Sequence, residues 1–371
     1  MGRQPRVKHR EVYEHIHRGI LAGEYRTGDR IPTEAQLANR FDTSRVTVAR
    51  ALRDLEQQGF LERRRGAGSF VRQPESTATN LIGLITGESK GILPIVCDEI
   101  SRFAQAKGFS VLLGKWPIAD IDQIIRYTQE LSEQYIARRV AGVIFEPMYV
   151  PAEQMPVNAR IAEAFDRAGI GVVLLDRDIY DFPHRSQFDL VGIDNRHAGY
   201  VLTEHLLSLG YRRIHFLCAP MTASSVTARI LGYQDALARH DIEPDKDWVH
   251  HGNTDHLDWV RDLMAKLGPE AFVCANDSEA ARFIYALTAL DIRVPEEVAV
   301  VGVNDDPYAK LLTVSLTTLR QPYSYLAASA VRLMLDRLQD RTATPREIRL
   351  GCELVVRESC GAALRAGVAV S

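Results

Sequence analysis

The chain has 371 residues, 46% of them hydrophobic and 25% charged. That length exceeds one ordinary core and asks for two or three domains. No low-complexity run appears, and no apolar stretch approaches the ~20 residues of a membrane helix. The net charge of −3 hides an asymmetry: residues 1–73 carry 15 Lys+Arg and 9 Asp+Glu, whereas the remainder carries 30 and 39. A basic head on a larger acidic body suits a nucleic-acid-binding module joined to a regulatory one, because the body repels DNA and confines contact to the head. The basic start, MGRQPRVKHRE, lacks the apolar core of a signal peptide, so a cytoplasmic protein is expected. Cys97, Cys218, Cys274, Cys352 and Cys360 are odd in number and scattered through apolar segments, which predicts reduced thiols rather than disulfides or a metal site.

Residues 9–22 (HREVYEHIHRGILA) place Val12, Ile16 and Ile20 on one helical face, with His15 and His17 off that stripe and expected in solvent. Gly23 and Gly28 then break the chain. In the following stretch, IPTEAQLANRFDTSRVTVARALRDLEQQGFLERRRGAGSF, the residues Leu37, Phe41, Val48, Leu52 and Leu55 recur at helical spacing. Thr33 and Ser44 precede the two helices as N-caps, Asp42-Thr43 is a turn signal, and Gly59 suits a helix C-terminus. After it, Phe60–Arg64, the turn Gly66-Ala67-Gly68 and Phe70-Val71 read as a hairpin. The pattern is a winged helix-turn-helix.

Ser44, Arg45 and Thr47 fall in the first turn of the second helix, where a major-groove reader presents side chains to base edges. An arginine there can fork onto a guanine, while hydroxyls take a phosphate or a base edge. The basic run Arg63-Arg64-Arg65 enters a glycine turn whose bare backbone can approach a sugar–phosphate strand. The expected DNA contacts are Thr33, Glu34, Ser44, Arg45, Thr47, Arg50, Arg65, Gly66 and Gly68. Residues 8–72 resemble the DNA-binding domain of the GntR family through IPTEAQLANRF, TSRVTVARAL, LEQQGFL and RGAGSFV. The resemblance implies contacts from Arg45, Thr47 and the wing around Gly66 and Gly68. Ala49 departs from the pattern, since the family usually carries an arginine there.

The domain boundaries read as a head over 1–73, a polar, proline-bearing linker over 74–80, a body over 81–357 and a tail over 358–371. In the body, LIGLIT, SVLLG, AGVIFEP and GVVLLD, then LVGID, RIHFLC, AFVCAND and VAVVGVND, are short apolar runs separated by helical stretches. Such runs specify parallel sheets covered on both faces, here as two sets of four in two similar α/β lobes. Ligands gather at the carboxyl ends of parallel strands. There stand Lys115, Glu146, Asp176, Arg177, Asn276, Asp305 and Gln321, with Arg229 on a helix; these are the expected ligand contacts, and their carboxylates and guanidinium suit a sugar or similar polyol. Strand-end Asp and Asn can equally cap the next helix, and that reading is preferred for Asp194-Asn195 and Asp277.

Residues 81–357 resemble the effector-binding domain of the LacI/GalR regulators, which shares the fold of periplasmic sugar-binding proteins. The matching phrases are VVLLDRD, VGIDNRHAGY, LLSLGYRRIHFL, TARILGYQDAL, VCANDSEAA, VPEEVAVVGVNDD and LTTLRQP. The resemblance implies ligand contacts from Asp176, Arg229, Asn276, Asp305 and Gln321. Asn304 replaces a usual aromatic residue, and Gly91-Ile92-Leu93-Pro94 stands where many relatives carry an aromatic pair. A GntR-type head on a LacI-type body is the layout of the arabinose-responsive AraR group, which GVIFEP with Glu146 also resembles.

No Walker-type phosphate loop, GxSxG elbow or HExxH pair is present, and His250, His251 and His256 lack metal-ligand spacing. A sugar-binding or sugar-modifying enzyme with a DNA-binding head is the alternative weighed, and a transport binding protein the other. The expectation is a cytoplasmic, homodimeric regulator, a repressor of transcription that binds double-stranded operator DNA and a small sugar such as L-arabinose, with no cofactor, metal or membrane partner.

Overall fold

The computed structural model describes residues 5–21, 24–26, 28–57, 59–64, 67–71, 79–87, 93–117 and 119–365. The chain divides into two compact units, one of residues 1–79 together with 136–139 and 164–170, the other of 80–135, 140–163 and 171–371. Arg65, Gly66, Gly91, Ile92, most of the expected linker and the last six residues lie outside the described residues.

The head opens with α1 (Pro5–Leu21), α2 (Glu34–Arg40) and α3 (Arg45–Gln57). Val12, Ile16, Leu37, Val48, Leu52 and Leu55 are buried together, so the helical periodicity of the sequence is the core. Thr33 caps α2 reciprocally: its hydroxyl accepts from the Gln36 amide, and the Gln36 side chain accepts from the Thr33 amide at 2.8 Å. Ser44 does the same work for α3, its Oγ accepting from the Thr47 amide at 3.2 Å. Strands β1 (Leu61–Arg64) and β2 (Gly68–Val71) form an antiparallel hairpin in which Leu61 faces Val71 and Arg64 faces Gly68. The segment at Arg30 adds a bridge to Phe70. His15 and His17 differ from expectation. Both are half-buried, His15 against Phe41 and His17 between Tyr13 and Phe60, and burial lowers both pKa values.

The body begins with β3 (Thr79–Thr86), α4 (Leu93–Gln105), β4 (Ser110–Lys115), α5 (Ile121–Ala137), β5 (Val140–Phe145), α6 (Pro156–Arg167), β6 (Gly171–Leu175) and β7 (Asp189–Ile193). It continues with α7 (Asn195–Ser208), β8 (Ile214–Cys218), α8 (Ser224–Arg239), β9 (Val249–His251), α9 (Leu257–Leu267), β10 (Ala271–Cys274), α10 (Asp277–Ala289), β11 (Ala299–Asn304) and β12 (Thr317–Arg320). Last come α11 (Tyr323–Gln339), β13 (Glu347–Leu350), β14 (Glu353–Val355) and the single turn α12 (Ala362–Arg365). Two six-stranded sheets result, ordered β13-β7-β6-β5-β3-β4 and β14-β12-β11-β10-β8-β9. Only β14 is antiparallel among the described pairings of the body, against β12. The grouping into two sets of four strands is therefore corrected: LVGID is β7 and pairs β6 in the first sheet, and the second sheet is completed by the short β9, β12 and β14.

Every residue of β5, β6, β7, β8 and β10 is buried, which is why these strands read as unbroken apolar runs. Each such Val, Leu or Ile is worth about 1.5–3 kcal/mol over exposure. The chain crosses between sheets three times: after β7, after β12 into α11, which packs on β5, β6 and β7, and between β13 and β14. A buried ion pair fixes the returning helix, because Arg337 donates to Asp189 at 2.9 Å while the Arg346 amide takes the other carboxylate oxygen at 2.7 Å. Helices α7 and α8 touch backbone to backbone: a Cβ on Gly199 would strike the Arg229 carbonyl, and one on Gly232 the Arg196 carbonyl. That contact sets where Arg229 stands.

Candidate functional site

A cavity of about 430 Å³ is walled by residues of both lobes. Of the eight expected ligand contacts, Glu146, Asp176, Arg177, Arg229, Asn276 and Gln321 line it. Lys115 and Asp305 do not.

On the first-lobe side, the loops after β5 and β6 bring a charged mesh together. Arg177 donates to Asp176 at 2.6 Å, to the Pro147 carbonyl at 2.6 Å and, more weakly, to Glu146 at 3.4 Å. Burial would lower the Arg177 pKa, but Glu146 and Asp176 hold it above the ordinary value. Glu146 also accepts from the Gly87 amide at 2.9 Å, and burial pushes its carboxyl up. Asp176 sits at φ +71, and a Cβ on neighbouring Gly192 would meet its carbonyl at 2.7 Å. A bare glycine in β7 is what lets this left-handed strand end form.

On the second-lobe side, Arg229 is buried among neutral partners. It donates to Asn195 Oδ1 at 2.8 Å and to the Ala275 carbonyl at 2.6 Å, and burial lowers its pKa. Its Nη2 takes no hydrogen bond among the described residues, so a donor remains for a ligand oxygen. Gln321, at the second crossing, donates to Asn304 Oδ1 at 2.7 Å. Asn304, at φ +135, lines the cavity while Asp305, at φ +58, turns away from it. The Asp305 carboxylate is held by Arg320 at 2.7 Å and Arg357 at 2.6 Å. Burial would raise its pKa, yet the two guanidiniums hold it below the ordinary carboxylate value. The expected contact from Asp305 is corrected on this ground: its oxygens are already taken, on the far side of the turn.

Helix capping was also misassigned in part. Asp194 caps α7, accepting from the His197 amide, as expected. Asn195 instead receives Arg229. Asn276, expected as a ligand contact, is itself the cap of α10 through the Glu279 amide, although it lines the cavity. Asp277 is no cap: it is wholly buried, accepting from the Thr318 hydroxyl at 2.6 Å and the Asp306 amide at 2.8 Å. Lys115 ends β4 as expected but misses the cavity, and its neighbour Trp116 lines it. Trp116, Tyr149 and Glu279 also line the cavity and were not expected. Trp116 directly follows a β-strand, a strand-end signal that applied to it as much as to Lys115.

In the head, Arg45 and Arg50 are exposed, and Ser44 and Thr47 share a hydroxyl hydrogen bond of 2.8 Å at the start of α3. The Glu34 carboxylate pairs with Arg63 of the wing, so it holds the wing's arginine in place. Gly68 has φ +111, with Arg30 lying 2.8 Å from where its Cβ would be. Val46 is 79% exposed at the start of α3, an apolar contact surface beside these polar groups. Arg45, Val46 and Arg50 on α3 are exposed, with Glu34 at the start of α2 and Arg63 on the hairpin paired beside them.

Two family models match the chain: bacterial regulatory proteins of the gntR family over residues 8–71, and the periplasmic binding protein-like domain over residues 203–360. The chain belongs to the transcription regulators that join a GntR-family head to a periplasmic-binding-protein-like body. Similar curated proteins include the arabinose metabolism transcriptional repressor of Geobacillus stearothermophilus, 27% identical over 95% of this chain and 97% of that one. Another is the HTH-type transcriptional regulator MalR of Streptomyces coelicolor, 30% identical over 76% of this chain and 81% of its own. Among solved structures, a transcriptional regulator CelR–cellobiose complex aligns with a TM-score of 0.65 at 23% identity, covering 89% of this chain and all of that one. The regulator resembles the AraR group, and its relatives are regulators rather than enzymes. No helix among the described residues is long and apolar enough to cross a membrane.

Proposed function

We propose that this regulator is a cytoplasmic repressor whose operator affinity is controlled by a small sugar held between the two lobes of its body. One observation carries the reading: Glu146, Asp176, Arg177, Arg229, Asn276 and Gln321, distant in sequence, line one cavity of about 430 Å³ at the ends of parallel strands. That volume lies within the range of small-molecule sites, and the mixture of carboxylates, guanidiniums and amides suits hydroxyl groups rather than a single charge. L-arabinose is the leading effector, in keeping with the name of the Geobacillus relative. The DNA-contacting set is Thr33, Glu34, Ser44, Arg45, Thr47, Arg50, Arg65, Gly66 and Gly68. The domain plan is a head over 1–73, a linker over 74–80, a body over 81–357 and a tail over 358–371.

A winged helix reads a short half-site, so two heads tied into a dimer are needed for a firm grip, and the operator is then an approximate palindrome. Tyr285 and Leu311, 77% and 75% exposed on the second lobe, are apolar groups that a second copy would cover. Sugar and operator influence each other reciprocally, typically by ~1–3 kcal/mol. The test is calorimetric titration against L-arabinose, D-xylose, D-ribose, D-galactose and D-glucose, followed by operator-binding measurements with and without the sugar that binds. Binding of none would overturn the reading. Arg45→Ala should weaken the specific operator by roughly 1–3 kcal/mol while leaving nonspecific DNA binding nearly intact; an unchanged footprint would remove Arg45 from the recognition surface.

A further inference from the structure

Helix α3 carries a valine on a face where folding asks for none. Its core side is Val48, Ala51, Leu52 and Leu55, all buried. At 100° per residue, Val46, Ala49, Arg50 and Arg53 fall together on the opposite side, with Arg45 at its edge. Val46 is 79% exposed there. A β-branched residue loses χ1 freedom in a helix and gains nothing in water, so stability does not account for it.

Its surroundings say what it faces. Arg45, Arg50 and Arg53 are exposed, and none pairs with a carboxylate among the described residues. By contrast, Arg63 of the wing pairs with Glu34, and the Arg64 guanidinium lies 4.7 Å from the Phe70 ring. Three unneutralised cations around one apolar side chain match a surface that is anionic at its rim and apolar at a point inside. The major groove of DNA has that character: phosphates line its edges, and the thymine C5-methyl is the apolar group on its floor. The hydroxyls of Ser44 and Thr47 are hydrogen-bonded to each other at 2.8 Å, and Ser44 also caps the helix, so both are partly engaged. Ala49, one turn on and partly buried, is too short to hold the helix off the groove or to cover Val46.

Resting on the proposed operator binding, we infer that Val46 is a base-reading residue that selects thymine, packing on the C5-methyl of one thymine in each half-site. The arginines around it grip phosphates or a guanine. The valine makes no hydrogen bond and discriminates by the apolar surface it removes from water. A cytosine at that position lacks the methyl and turns an amino donor toward a side chain that cannot accept.

The test begins with the full-length protein, without sugar, and a random duplex library from which the half-site is selected and its sequence read. Each thymine of the selected duplex is then replaced in turn by deoxyuridine, which differs only in lacking the methyl. At the position that meets Val46, the replacement should weaken wild-type binding about fourfold per half-site, the scale of one buried CH₂ group. Val46→Ala should weaken binding of the thymine duplex to a similar extent and should no longer respond to that replacement. The side chain is exposed, so the melting curve of the variant should match the parent's. A wild type indifferent to deoxyuridine at every thymine would overturn the inference, as would a penalty of equal size in Val46→Ala. A changed sedimentation coefficient of Val46→Ala without DNA would overturn it too, by giving this face to a second copy of the chain. The selected duplex is still bound in all three cases, so operator binding stands. A library that yields no enriched sequence overturns the operator reading and this inference with it.

Discussion

Strands β6 and β11 are built alike and end differently. Both are buried parallel strands, GVVLL and AVVGVN, and both run into an aspartate with positive φ, +71 at Asp176 and +58 at Asp305. At Asp176 the nearest guanidinium is the next residue, Arg177, which itself lines the cavity, so the carboxylate stays in the wall. At Asp305 the guanidiniums come from behind, Arg320 on β12 and Arg357 beyond β14, and they draw the carboxylate out. Asn304 is left facing the cavity in its place. A left-handed strand end costs about 1–3 kcal/mol and persists only where its surroundings hold it; here the position of the arginines decides which residue of the turn serves the site.

The widest test of that contrast is Asp176→Asn set beside Arg229→Ala. Each removes a partner from a polar set that a ligand would complete, and each should weaken sugar binding about 100-fold, or ~2.7 kcal/mol; Arg229→Ala should also lower stability by about 1–3 kcal/mol, because Asn195 Oδ1 and the Ala275 carbonyl lose their donor. Calorimetry that returned wild-type affinity for Asp176→Asn would erase the distinction between the two strand ends.

Much of this arrangement could be read from the chain itself. The apolar runs located the central strands, since full burial on both faces leaves no polar alternation to misread, and periodicity located α1, α2 and α3. The caps at Thr33, Ser44 and Asp194 followed from local chemistry alone. Strand partnership did not: LVGID looks like the first strand of a second set, and only the crossing after Ile193 puts it in the first sheet. Nor did the direction of a side chain at a turn with positive φ, where the alternation of a strand no longer applies. That is why Asp305 was expected in the cavity and Asn304 was not. Asp277 was missed for a related reason: its partners, Thr318 and the Asp306 amide, lie 41 and 29 residues away.

Asp277 sharpens the comparison, because it braces the β11 turn from below and no equivalent supports Asp176. Burial pushes its carboxyl from 3.8 up to about 7, although the hydrogen bonds from Thr318 and Asp306 pull the other way. A carboxyl whose folded pKa is raised favours the folded state below its unfolded value, and that contribution is lost as pH rises through about 7. Asp277→Asn, which cannot titrate, should therefore be less stable than the parent near pH 5, by a margin that shrinks by about 1–3 kcal/mol toward neutral pH. Urea midpoints measured in parallel across that window provide the check. A margin independent of pH would mean that Asp277 is ionised throughout and braces the turn as a plain anion.

The smallest expected effect is also the most discriminating. Asp305→Asn keeps the shape of the side chain and removes the charge that Arg320 and Arg357 share. Each arginine retains another partner, Glu353 at 3.0 Å for Arg320 and the Leu316 carbonyl at 2.7 Å for Arg357, so neither is left bare. The Tyr323 hydroxyl still donates to the Asp305 carbonyl at 3.1 Å, which keeps the backbone of the turn in place. Stability should fall by roughly 1 kcal/mol, the scale of a partly exposed charge-assisted pair. Sugar affinity should change by less than about threefold, since no oxygen of Asp305 borders the cavity and a hydrogen bond not made to the ligand cannot be lost. Arg320 is the more exposed of the two arginines, so Arg320→Ala should reproduce the stability loss with the same indifference to sugar. If Asp305→Asn instead abolished binding as Asp176→Asn does, the carboxylate would have to leave both arginines and enter the cavity when ligand arrives. The two strand ends would then be equivalent in the bound state, and their difference would belong only to the empty one.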